Sequence, residues 1–180
     1  MSLTVAERAR RIATFRFVEV RLMEIAAAWT PTTPEMEVKV LLGRHIWDFA
    51  QHADALGKRT FELRERLQHS RTPSGGYQRL LDEVLKLEVT AERVAALYDA
   101  VLPGLARRYE AYLEEADPIL DAPSFVVVDR ILSDLRRQRA DAQELRRDLG
   151  LAAAVPGDLG RREGVLEMLA EPEGAAGAGA

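Results

Sequence analysis

The sequence contains no cysteine. That absence removes structural disulfides, thiolate zinc sites, iron–sulfur clusters and cysteine nucleophiles together. Aromatic residues make up only 6% of the chain and histidines number three, so imidazole chemistry must come from His45, His52 or His69. No apolar run approaches membrane-spanning length. A glycine-rich phosphate loop and a Gly-x-Ser-x-Gly elbow are also missing. The opening stretch MSLTVAERARRIATF is charged throughout and lacks an apolar core with a small-residue cleavage site, so no secretory signal is expected and a cytoplasmic location is. Strand signals are scarce: FVVV at 125–128 is the one β-leaning run, and the cap before it and helical period after it favour helix.

What remains is helix, in a chain of 180 residues that fits one domain and can bury a core without metal or disulfides. Thr4 and Glu7 have capping-box spacing, and an apolar stripe follows through Ile12, Phe15, Val18, Leu22, Ile25 and Trp29. TPTTP stops that helix. Thr33 is expected to cap the next one, with Pro34 at its first position, and it should run to about His69. A third helix is expected from Tyr77 through Leu113, kinked or briefly broken at Pro103-Gly104. A fourth, capped by Ser124, should stop near Gly150. A short helix is expected around 161–169, and the alanine- and glycine-rich tail is too poor in large apolar residues to pack. The expected domain layout is a bundle over 1–150, a linker and short helix over 151–170, and a disordered tail over 171–180. Four long amphipathic helices with short loops argue for an all-α, up-down-up-down four-helix bundle.

Within the second helix, HIWDFAQHADALGKR carries His45, Asp48 and His52. Seven residues are two helical turns, so both imidazoles and the carboxylate share a face. Other candidates are thinner. Trp29, Trp47, Tyr98, Tyr109 and Tyr112 could line a small-molecule cavity in the bundle, but rings at helical spacing are more often plain core. Arg136, Arg137, Arg139, Arg146 and Arg147 concentrate positive charge late in a chain of net charge −4, which reads as a solvated helix face and makes nucleic acid an unexpected partner.

The Glu-bearing first helix, the TPTTPEMEVKVLLGRHIWDFAQHADALGKR hairpin, the RRYEAYLEEADP helix end and the DAPS turn together resemble the ferritin-like superfamily, over roughly residues 5–150. The resemblance implies inward-facing carboxylates, with two helices each giving one Glu and two each giving a Glu-x-x-His around a dinuclear iron centre. It places the first-helix Glu at Glu19 or Glu24, the second-helix pair near His45, Asp48 and His52, and the third-helix Glu at Glu88 or Glu92. The chain departs from that pattern. Leu42 and Phe49 stand three residues before His45 and His52, and the fourth helix has no histidine, so a symmetric dinuclear centre is not expected.

Antiparallel register across each turn gathers Glu19, His45, Asp48, Tyr98, Gln138 and Arg139 into one layer, with His45 at the level of Glu19. As ligands, Glu19, His45, Asp48 and His52 could hold one iron, manganese or zinc ion, iron or manganese foremost, with Glu88, Tyr98, Gln138 and Arg139 around it. As structure, they form a hydrogen-bonded layer that needs no metal. The leading expectation is a degenerate ferritin-like bundle that binds or assembles, as a homodimer or with a protein partner. The alternative is a metal-dependent oxidoreductase or oxygenase.

Overall fold

The computed structural model describes residues 3–152 and 154–170. Helices α1 (Val5–Trp29), α2 (Met36–Glu62), α3 (Gly75–Leu85), α4 (Thr90–Ala95), α5 (Leu102–Glu115), α6 (Ala122–Leu149) and α7 (Leu159–Val165) dominate its regular structure, a 3-10 turn, Thr30–Thr32, follows α1, and no strand occurs among the described residues. The expected tail, 171–180, lies outside the described residues. No helix among them is long and apolar enough to cross a membrane.

The first helix forms as its sequence dictates. Thr4 Oγ1 accepts from the Glu7 amide at 3.2 Å while the Glu7 carboxylate accepts from the Thr4 amide at 2.7 Å, satisfying two amides that the helix leaves without partners. Its stripe from Ile12 to Trp29 is buried. The Trp29 indole N–H reaches the Leu85 carbonyl at 3.1 Å, which fastens the end of α3 to the end of α1.

Four expectations about boundaries need correction. Thr33 does not cap the second helix: its hydroxyl donates backwards to the Trp29 carbonyl at 2.9 Å and accepts from Arg93 at 3.2 Å, and α2 starts only after Glu35. The second helix ends at Glu62 rather than His69, because Arg64 and Gln68 adopt φ of 71° and 59° and the chain folds back. Gly57 permits that return, since the Gln68 side chain lies where a Cβ would project. Ser124 is not the cap of α6 but sits in its first turn, donating to Asp121 at 2.8 Å. The last helix is Leu159–Val165 rather than 161–169.

The expected third helix is two. It breaks across Lys86–Val89, and the second piece runs α4, a π-helical segment Ala96–Val101, then α5. Pro103 lacks the amide that would bond four residues back, and the π segment absorbs the mismatch with Leu102 N–H bonded to Leu97 O. The disturbance expected at Pro103 therefore falls just before it.

Side-chain pairs give the helix directions. Glu19 with His52 sets α2 antiparallel to α1, and Arg21 with Asp82 and Trp29 with Leu85 set α3 parallel to α1. Arg11 with Glu115 and Glu19 with Tyr109 set α5 antiparallel to α1. Arg59 with Ser124 and His52 with Asp134 set α6 antiparallel to α2. The chain thus makes five passes instead of the expected four, with α3 as a short return that leaves α2 and α5 parallel. At one end, buried Asp121 accepts from Arg59 at 2.7 Å and from the Tyr112 hydroxyl, tying α2, α5 and the start of α6 together. The α6 helix ends at Gly150, φ 63°, where Arg146 and Arg147 suit the negative end of the helix dipole.

Candidate functional site

The polar layer is built on the inward faces of α1, α2, α5 and α6. Glu19 interrupts the apolar stripe of α1 and is fully buried. Its carboxylate accepts from the Tyr109 hydroxyl at 2.8 Å and faces His52 Nδ1 at 3.1 Å. The other nitrogen of His52, Nε2, lies 3.2 Å from Asp134. Arg137 donates to both Asp134 and Asp48 at 2.9 Å, and Gln138 donates to Asp48 at 3.1 Å. Charges therefore alternate in one line, Glu19, His52, Asp134, Arg137, Asp48, which runs from the core out to Arg137 and turns back to half-buried Asp48.

Both ring nitrogens of His52 face carboxylates, so both must donate, which requires the imidazolium. Burial opposes that charge, but the charge of Glu19 and hydrogen bonds to Glu19 and Asp134 outweigh it and raise the His52 pKa above 6.5. Burial likewise works against the charged form of Asp134, yet Arg137 and His52 hold its pKa below the ordinary aspartate value.

His45 is the opposite case. It is fully buried, and burial pushes its pKa down to about 4 despite Asp48 and Asp141 nearby. Its Nδ1 lies 2.7 Å from the Tyr98 hydroxyl. Asp141 stands 3.7 Å from Nε2, favouring the tautomer with its proton there, so Tyr98 donates to Nδ1. His45 Nε2 and Gln138 Oε1 are left without hydrogen-bond partners.

The structure brings together six of the residues expected at the site: Glu19, His45, Asp48, His52, Tyr98 and Gln138. Arg139 is adjacent, donating to the Tyr98 carbonyl at 3.2 Å. Two corrections follow. Glu19 pairs with His52 rather than His45. Glu88 is no part of the site: it is exposed in the connection between α3 and α4, where the expected helix breaks. Of the aromatic candidates, Trp29, Tyr98, Tyr109 and Tyr112 are core, whereas Trp47 is 66% exposed. Sequence reasoning missed Tyr109, Asp134, Arg137 and Asp141 as members of the layer. The available signal was the α6 face on which Asp134, Gln138 and Asp141 recur at helical spacing.

The donor set does not fit a metal. Glu19 is engaged by Tyr109 and His52, Asp48 by Arg137 and Gln138, and His52 by carboxylates on both sides. Among the described residues of the layer, His45 Nε2 and Gln138 Oε1 are without a hydrogen-bond partner, and one nitrogen with one amide oxygen is too small a set for a metal. Among the described residues, no group of three or more His, Asp or Glu side chains converges as metal ligands would.

No protein-family model matches the chain, and neither a curated protein nor a solved structure is significantly similar to it.

Proposed function

We propose that the protein is a divergent ferritin-like bundle, cytoplasmic, whose polar layer holds an internal cation in place of a metal centre and which acts as an assembly module. The observation that carries the reading is Arg137, whose guanidinium bridges Asp48 of α2 and Asp134 of α6. A guanidinium satisfies carboxylates by directed hydrogen bonds and cannot be deprotonated, so it supplies fixed positive charge to the layer. Removing one member leaves a carboxylate unpaired, which makes the layer a device for helix register.

Assembly is supported on the outer face of α2, where Met36, Val40 and Trp47 are 65%, 56% and 66% exposed at helical spacing. Gly43 lies in the same stripe with nothing near its Cβ position. A second copy of the chain is the occupant proposed for it, since two such stripes related by a two-fold axis are self-complementary and glycine lets the helices approach closely. Sedimentation equilibrium tests this: the account expects a dimer that Trp47→Glu converts to monomer, and a wild-type monomer at high concentration contradicts it.

A second reading, a metal-dependent oxidoreductase, has one observation in its favour, the unpartnered His45 Nε2 beside Asp141. It requires Arg137 to leave its carboxylates. One tightly held iron or manganese ion per chain in untagged protein, lost on mutating His45 or His52, would establish it.

A further inference from the structure

We infer that the arginine-lined cavity beside the C-terminal half of α6 is a binding site for a small anion carrying two or more phosphates. It is an open groove of about 770 Å³ between α6, the π segment and the chain after Gly150, a volume within the range of small-molecule sites. Four guanidinium-bearing residues, Arg136, Arg139, Arg146 and Arg147, line it against one carboxylate, Asp99.

Asp99 is already committed, because it accepts from Arg146. Arg136, Arg139 and Arg147 have no ion-pair partner among the described residues, whereas Arg137 on the same helix is spent on Asp48 and Asp134. Arg139 is also held in place: its Nε donates to the Tyr98 carbonyl at 3.2 Å, which fixes the guanidinium and leaves its terminal nitrogens for a ligand. Such a pre-oriented fork matches phosphate oxygens in pairs.

The arrangement along the helix sets the size of the ligand. From Arg136 to Arg147 is eleven residues of α6, or about 16 Å at the helical rise, more than a single phosphate can touch. Arg136 and Arg139 are also like charges one turn apart, a repulsion that a bound polyanion would relieve. Leu151 gives the cavity an apolar wall next to the arginines, a place for the uncharged part of a ligand. The patch is a short row on an otherwise acidic chain, which suits a compact oligophosphate better than a nucleic acid backbone.

Calorimetric titration of the full chain with inorganic tripolyphosphate, ATP and a short oligothymidylate tests the site. Saturable binding of tripolyphosphate or ATP is expected, weakened at least about tenfold, or 1.4 kcal/mol, by Arg136→Gln with Arg147→Gln. These two side chains are exposed, so the double variant should keep the wild-type melting temperature. Arg130→Gln, exposed on the same helix but outside the cavity, should change nothing. Tighter binding of ATP than of tripolyphosphate would show that the nucleoside rests on the apolar wall, and equal binding that phosphates alone are read; both support the site. Absence of binding by both small anions at millimolar concentration overturns it. So does binding that the double variant leaves unchanged, or binding of the oligothymidylate alone.

Discussion

The Tyr98 hydroxyl lies 2.7 Å from Nδ1 of His45, joining the π segment to the middle of α2 through two fully buried side chains. Tyr98→Phe removes the one hydrogen bond that His45 makes and leaves the ring with no partner on either nitrogen. A loss of about 1 to 3 kcal/mol is expected, read from urea denaturation. The same substitution on a His45→Phe background should cost far less, because the partner it orphans is gone. Equal costs in both backgrounds would show that the bond is not coupled.

The two histidines of α2 should titrate far apart. His52 holds its proton more tightly folded than unfolded, so the stabilisation from its charge is fully present below pH 6.5 and is lost as pH rises through the higher folded value. His45 has the reverse sign: its contribution is present above pH 6.5 and is lost as pH falls toward about 4, where the folded chain finally takes up the proton. Proton NMR of the imidazole Hε1 signals checks both, with His52 titrating above 6.5 and His45 near 4. Coincident titration near 6.5 contradicts the layer as described.

Gly104 should not tolerate a methyl group, because a Cβ there would overlap the buried Glu163 carboxylate of α7. Glu163 accepts from Arg107 at 3.1 Å and from Arg108, and Arg108 also donates to the Leu166 carbonyl at 2.9 Å, so this pairing docks the C-terminal segment onto α5. Gly104→Ala is expected to cost on the order of 2 kcal/mol and to expose the chain after Gly150 to limited proteolysis. Unchanged stability and cleavage would mean that Glu163 can move aside without loss.

Thr33→Ala should still destabilise by about 1 kcal/mol, but through a different bond from the one its sequence context suggests. The hydroxyl ties the Trp29 carbonyl to Arg93, so Arg93 should lose its anchor and α4 should exchange its amides faster. A loss confined to α2 would restore the capping role.

The helices were legible because each rests on a local signal: the Thr4–Glu7 box, the stripe from Ile12 to Trp29, and the glycine that ends α6. Glu19 was legible as a charge set into an apolar stripe, and Tyr98 and Gln138 through register. The partner of Glu19 was misplaced by two turns of α2. The 3-10 turn carries the chain to Thr32 and α2 begins only at Met36, and a shift of that kind is invisible to a count from the proline-rich turn. Asp134, Arg137 and Asp141 are not legible in the sequence, because the ferritin-like pattern calls for histidine on this helix and an arginine among acidic residues reads as solvated surface until its partners are known. The break at Lys86–Val89 was hidden by an apolar period that continues across it, since α4 resumes the same pattern in the opposite direction.

The role of Arg137 is tested most directly by thermal denaturation of wild type and Arg137→Ala, each with and without added manganese. Removing the guanidinium leaves Asp48 and Asp134 without their shared donor and should lower stability by about 1 to 3 kcal/mol. Those two carboxylates keep His52 and Gln138 but lose the guanidinium between them, and with Asp141 can then take a divalent cation, so manganese should raise the melting temperature of the variant and leave wild type unmoved. A saturable rise in the wild type, with Arg137→Ala no less stable than the parent, would contradict an internal cation and place a metal in the layer instead.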